Sequence, residues 1–318
     1  MQPLRDVAML REINLVWQMS VPRVFDRSLL RRRQQRARSL GPATFLLDRV
    51  AEDAADRLAA VLRRFDTAID LGTPGPALRC KLAESARFAT LFAISHSAVA
   101  VAPAGGLAIV ADEEALPMRD SSIDLVVSGL SLQTVNDLPG AFVQIRRALK
   151  PDGLFLAALL GGETLTELRQ SFAAAEAEVE GGVSPRVAPF ADVREIGALL
   201  QRAGFALPVT DVDRLTVRYA TPLALMHDLR RMGAGNPLLE RRRSPLRRAT
   251  LMRMAEIYGE RFADPDGRVR ATFDIVWLSG WAPHESQQQP LRPGSAKARL
   301  ADALGRREIS AGEKARPK

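Results

Sequence analysis

The sequence has one cysteine, Cys80, in 318 residues. A lone cysteine excludes an internal disulfide and a cysteine-rich zinc site, and it fits a reducing compartment. Aromatic residues make up 5% of the chain, too few for the stacked platforms that hold single-stranded nucleic acid. No nucleic-acid partner is expected. Histidine occurs only at 96, 227 and 284, without the spacing that holds a metal, so no metal site is expected. No apolar run approaches the roughly 18–20 residues of a membrane span, and no transmembrane segment is expected. The longest run, GLFLAALLGG at 153–162, suits a buried strand. Lysine is confined to 81, 150, 297, 314 and 318, so arginine carries nearly all the positive charge behind a net +8. That bias reads either as the codon usage of a GC-rich genome or as a surface for an acidic partner.

What is present is enough for one large domain with appendages, since 47% of the residues are hydrophobic. Residues 1–18 form a poorly defined extension. They lack the apolar core of a secretory signal, and Asp6 and Glu12 make them a poor transit peptide. The bacterial cytoplasm is the expected location, with the mitochondrial matrix as the alternative. Residues 25–62 are helical in pattern and carry a basic run, Arg31, Arg32, Arg33, Arg36 and Arg38. The run is either a solvated face or part of a lid over a cofactor or an acidic partner's site.

Short apolar segments then alternate with helical patterns. Strands are predicted at 68–71, 89–95, 106–111, 123–128 and 153–160. The clearest helix is 141–149, where Leu138, Phe142, Ile145 and Leu149 recur at three- and four-residue spacing before the turn Pro151-Asp152-Gly153. Further helices are predicted at 163–180, at 193–203 before Gly204, at 221–232 and at 245–258. Residues 209–219 alternate with a period of two and should have one wet face. Residues 269–281 form a last strand or hairpin partner. Strands alternating with helices mean βαβ units. The predicted fold is α/β and doubly wound, with a mostly parallel seven-stranded sheet, an N-terminal helical lid at 19–62 and an α/β domain at 63–282. A helical insertion caps that domain at about 221–260, and a polar tail follows from 283 to 318.

The chain is organised around residues 67–82, TAIDLGTPGPALRCKL, which read as a strand, a tight turn and a helix start. In an open parallel sheet, such a turn is where a nucleotide-like cofactor lies against the helix N-terminus. Asp70 can bind the cofactor's amino group or brace the loop. Gly72 and Gly75 permit close backbone approach. Pro74 has no N–H and holds φ near about −65°, while Pro76 loses only an N–H that a first turn leaves unpaired. The loop keeps its turn and loses donors, and it lacks the GxGxxG spacing of a dinucleotide binder.

The second strand should end in an acid that grips the ribose hydroxyls, but Ser95 stands there. Losing two charge-assisted hydrogen bonds, at ~1.5–3 kcal/mol each, weakens binding by at most ~10²–10⁴. His96 beside it is expected to be structural or solvated. Asp112 and Glu113 stand where an acid meets the adenine amino group, or else they cap a loop. Ser128 opens the segment 128–136 at the carboxyl edge, with Gln133 and Asn136 expected on the acceptor side. Gly161 and Gly162 are expected to leave open space, and Thr164 to cap the next helix.

The order of the DLG loop, ADEEALP, IDLVVS and LKPDGLF resembles a class I S-adenosylmethionine-dependent methyltransferase over about residues 24–160. A longer match runs through FDRSLLRRRQQRA, VNDLPGAFVQIRRALKPDGLFLAALLGGETLTELRQ, FADVREIGALLQRAGF and WAPHESQQQPLRPGSAKARLADAL. These stretches resemble the respiratory complex I assembly factor 5 family, whose bacterial members are commonly labelled methyltransferases. Its mitochondrial members are implicated in hydroxylating an arginine of a complex I subunit. The malonyl-carrier-protein methyltransferase of the biotin pathway is a more distant relative. The chain departs from the family's DLGxGxG at Pro74 and Pro76, and from its LHWVND at Gln133 and Thr134.

The resemblance implies S-adenosylmethionine as cofactor, lined by Asp70, Gly72, Gly75, Ser95, Asp112, Glu113 and Ser128. It implies a protein or small-molecule acceptor, with a respiratory complex I subunit as one protein candidate. Methyl transfer asks a protein mainly to hold sulfonium and acceptor in line, so no catalytic residue is named. Three functions follow: a methyltransferase-type enzyme, a protein-arginine hydroxylase, or a non-catalytic assembly chaperone on the same fold.

Overall fold

The apolar segments become strands where β-branched and leucine side chains are covered on both faces. A computed structural model describes residues 23–85, 87–96, 107–288 and 305. Its strands are β1 (Phe65–Leu71), β2 (Phe88–Ser95), β3 (Leu107–Val110), β4 (Ile123–Gly129), β5 (Leu149–Gly161), β6 (Ala206–Tyr219) and β7 (Val269–Trp281). They form one sheet in the order β3-β2-β1-β4-β5-β7-β6. β1 pairs in parallel with β2 and β4, as do β2 with β3 and β4 with β5. β7 is antiparallel to both β5 and β6. The mostly parallel seven-stranded prediction therefore holds among the described residues.

Helices cover both faces. On one side lie α2 (Phe45–Ala59), α3 (Ala77–Glu84), α5 (Thr166–Glu180), α7 (Pro222–Arg231) and α8 (Arg248–Phe262), over a core that includes Val50, Leu78, Phe172, Leu225 and Tyr258. On the other lie α4 (Leu138–Ala148) and α6 (Val193–Arg202), over Phe142, Ile145, Ile196 and Leu200. Neighbouring residues alternate between the cores: Ala68, Leu125 and Val127 face the first, Ile69 and Val126 the second. That is the period-two signature of a doubly wound sheet. Strand order reverses between β1 and β4, so the carboxyl end of β1 opens at the switch point where ligands of such sheets bind.

Several expectations need correction. The helical stretch at 25–62 is two helices, α1 (Arg27–Ser39) and α2. Gly41 turns left-handed between them at φ 73°, and Pro42 has no N–H to continue the first. β5 begins at Leu149 rather than at 153, because Leu149 already pairs with Ile123 across a register irregularity. Thr164 is fully buried and does not cap α5. Its hydroxyl exchanges hydrogen bonds with the backbone of Asp274, and the cap position falls to Leu165 in the left-handed region. Gly161 faces no open space, since a side chain there would collide with Val276.

Residues 1–22 and most of the tail, with Gly106 and the stretch around Ser97, lie outside the described residues. The chain divides into two compact units, Met1–Pro283 and His284–Lys318. No helix among the described residues is long and apolar enough to cross a membrane.

Candidate functional site

The turn after β1 is built from short polar and small residues because it must reverse direction against two neighbouring strands. Gly72 adopts φ 73° and Gly75 φ 95°, a region that L side chains rarely enter. Gly72 N donates to Ile94 O of β2 at 2.8 Å. Thr73 Oγ1 accepts from Gly129 N at 2.9 Å, and Ser128 Oγ donates to Leu71 O at 2.7 Å. The turn is thus tied to the ends of both β2 and β4. Pro76 sits at the N-cap of α3 without a side-chain cap.

Asp70 is 2% exposed and lies 3.2 Å from Arg79 Nε. Burial pushes its carboxyl up to about 7, against the opposing pull of the Thr73 hydrogen bond and of Arg79. Its Oδ1 has no hydrogen-bond partner. Ser131 Oγ and Gln133 Oε1, in the segment after β4, are likewise buried without one. Leu130, just before Ser131, takes the left-handed conformation at φ 51°, a strained state for a leucine and one that concentrates at binding sites.

The turn after β3 supplies the acids. Arg27 of α1 bridges Asp112, Glu113 and Glu114, and Arg31 one turn on bridges Asp112. Burial, outweighed by the facing Glu113, Asp112 and Glu114 charges, leaves the Arg27 guanidinium above its ordinary value. Burial and the nearby Arg31, Arg38 and Arg27 push His96 down to about 4, so its ring is neutral at physiological pH.

Asn136 Oδ1 accepts from Val24 N and Phe25 N at 2.9 and 2.8 Å, fastening the segment that enters α1. The same segment bridges to Leu238 and bonds Pro237, and Asp26 pairs with Arg241. Between α1, the link to α2, the Pro74–Gly75–Pro76 turn and the end of α7 lies a cavity of about 260 Å³. Gln34, Arg38, Leu47 and Arg231 help to line it. A second cavity of about 450 Å³ lies away from this edge, beside Glu163, Asp192, Arg214 and Asp274.

The structure therefore gathers Asp70, Gly72, Gly75, Ser95, Asp112, Glu113 and Ser128 at the carboxyl ends of β1–β4. Gln133 follows in the adjoining segment, its Nε2 on Leu130 O at 2.8 Å. The side chains of Ser128 and Asn136 are committed to backbone groups. Sequence reasoning missed Arg27, Arg79, Ser131 and Thr73. The i, i+4 spacing of Arg27 and Arg31, opposite three consecutive acids, was the available signal for the first. No group of three or more metal-ligating side chains gathers among the described residues.

Comparison with known proteins agrees with this architecture. A methyltransferase-domain family model matches residues 69–157. The chain is 39% identical over 307 residues to the mitochondrial arginine-hydroxylase NDUFAF5 of Danio rerio, covering 93% of this chain and 95% of that one. Its human counterpart is 40% identical over 289 residues, with 86% and 81% covered. A malonyl-[acyl-carrier protein] O-methyltransferase of Gallionella capsiferriformans is 38% identical over 179 residues, 56% of this chain and 58% of the relative. A candidate methyltransferase from Bacillus halodurans superposes with a TM-score of 0.52 at 14% identity, over 73% of this chain and 98% of that one, a likeness of fold.

Proposed function

The chain belongs to the family of the NDUFAF5 arginine hydroxylases, and from that membership we propose that it binds S-adenosylmethionine at the carboxyl edge of β1–β4 and acts on a side chain of a protein partner. The observation that carries this reading is the set of orphaned polar atoms, Asp70 Oδ1, Ser131 Oγ and Gln133 Oε1, buried around a two-glycine turn at the switch point. Buried polar groups are ordinarily paired, and a ligand with an amino group and ribose hydroxyls offers the partners these lack. The residues present therefore fit such a group, although Pro74 and Pro76 offer it no N–H.

When bound, the cofactor supplies an electrophilic methyl group on its sulfonium. Asp70 accepts a hydrogen bond, Gly72 and Gly75 let the backbone come close, and Asp112 and Glu113 hold the nucleoside end. Ser95 and Ser128 complete the wall, and Gln133, on the side expected for the acceptor, keeps its Nε2 on Leu130 O and leaves Oε1 toward the cofactor. Asn136, read from sequence as an acceptor residue, instead serves to hold the N-terminal segment. The ion pairs of Arg27 and Arg31 keep α1 over this edge as part of the lid expected at 19–62, of which residues 23–62 are described, with the helical insertion at about 221–260 as its cap. Closure of that kind excludes water.

A second reading, hydroxylation of a protein arginine, is favoured by the length of the similarity. The arginine-hydroxylase relatives align along nearly the whole chain, whereas the carrier-protein methyltransferase aligns over about half. On either reading the partner is a protein, with a respiratory complex I subunit as the specific candidate. The relatives are mitochondrial. For this chain we place the action in a bacterial cytoplasm or, alternatively, the mitochondrial matrix.

Calorimetric titration with S-adenosylmethionine and its demethylated product tests the cofactor step. Micromolar binding is expected. No binding at millimolar ligand overturns the reading and leaves assembly without catalysis. Mass spectrometry of complex I arginines, with and without the protein, then separates an added methyl group from an added oxygen.

A further inference from the structure

The acid missing from the end of β2 has a replacement in space that the chain order hides. Gly72 N donates to Ile94 O at 2.8 Å, so Gly72 and Ser95 stand side by side at the ends of β1 and β2. A methyl group built on Gly72 would collide with Ser131 Oγ and stand 2.5 Å from Glu113 Oε1. Three segments, after β1, β3 and β4, thus converge on one point. Glu113 is 5% exposed and Ser131 7%. Arg27 takes Glu113 through Oε2, so Oε1 is the oxygen turned toward Gly72 and Ser131. Ser131 Oγ has no partner.

We propose that Glu113 Oε1 and Ser131 Oγ form the subsite for the vicinal diol of the nucleoside's ribose, in place of the carboxylate that Ser95 lacks. An ionised carboxylate only accepts and a hydroxyl both donates and accepts, which is the complement of two adjacent hydroxyls. Arg27 acts here as a positioning residue: by holding Oε2 it aims Oε1. The inference rests on the cofactor reading above and assigns Glu113 to the ribose rather than to the adenine.

The test compares S-adenosylhomocysteine with its 2′-deoxy counterpart by calorimetry. Wild-type protein should bind the deoxy ligand ~10–100-fold more weakly, the loss of one hydrogen bond to a charged group. Glu113→Gln should weaken S-adenosylhomocysteine by a similar factor and erase the discrimination. Ser131→Ala should do the same to a smaller extent. Equal affinity of wild-type protein for the two ligands overturns the proposal without any variant having to fold. So does a folded Glu113→Gln protein that keeps full discrimination. No binding of either ligand to wild-type protein overturns the cofactor reading itself, and the subsite falls with it.

Discussion

Asp70, at the end of β1, and Glu176, in α5, are buried carboxylates, 2% and 0% exposed, with opposite fates. Burial disfavours both ionised forms. For Glu176 it is outweighed by the Ser184 backbone N–H, the Ser184 hydroxyl and Arg186, so its carboxyl falls below the ordinary value. For Asp70, Thr73 and Arg79 do not compensate, and the carboxyl rises to about 7. Among the buried acids the same contrast recurs along the sheet, although Tyr219 Oη of β6 and Trp277 Nε1 of β7 also lack a partner. Around β5, β7 and β6 the buried acids are satisfied: Glu167 holds Thr272 through N and Oγ1, and Asp274 takes Arg214 with two bonds and Glu163 N with a third. At the carboxyl end of β1, Asp70 Oδ1 has no partner. A fold supports itself with satisfied polar groups, and a site for a ligand leaves partners for the ligand to supply.

Breaking the satisfied side should cost most. Glu176→Ala leaves Arg186 without its buried carboxylate, and stability in denaturant titration should fall by ~3–5 kcal/mol. The affinity of the folded fraction for S-adenosylhomocysteine should not change. A loss of affinity would mean that the two regions are coupled, and the contrast would fail.

Asp70→Asn probes the unsatisfied side through pH. The folded-state value of Asp70 lies above its unfolded value, so the stability it contributes is full below about pH 4. That contribution is lost as pH rises through about 7. Relative to Asp70→Asn, the wild-type protein should lose up to ~4 kcal/mol across that window and stay level above it. A flat difference between pH 4 and 8 would show that Asp70 is compensated after all.

Pro74→Gly should have the smallest effect on stability, a loss of ~0.4–1 kcal/mol from the added freedom of the unfolded chain. It returns a backbone N–H to the turn, and affinity for S-adenosylmethionine should rise, more so in combination with Ser95→Asp. No gain would show that the turn does not face the cofactor.

The strands were legible because their evidence is local. β7 at Val269–Trp281 was expected at those bounds, and β2 and β4 to within one residue. Asp70, Gly72 and Gly75 were legible for the same reason, since a strand, a left-handed turn and a helix start are written in consecutive residues. Misreadings arose where distant chain decides. Thr164 looked like a cap, but β7 captured its hydroxyl. Asn136 looked free for an acceptor, but the backbone of Val24 and Phe25 reaches it from 111 or more residues away. Nothing near Glu113 in sequence announces that its side chain lies over Gly72.

The sequence by itself determined the class of fold, the place of the two-glycine turn and the absence of an acid at Ser95, because hydrophobic periodicity and backbone chemistry act over a few residues. The tertiary structure alone decided the strand order, the antiparallel β7, the Arg27 bridge and the convergence of Glu113 and Ser131 on Gly72. Those depend on which strand ends become neighbours, and that is settled by burial of both faces of the sheet at once.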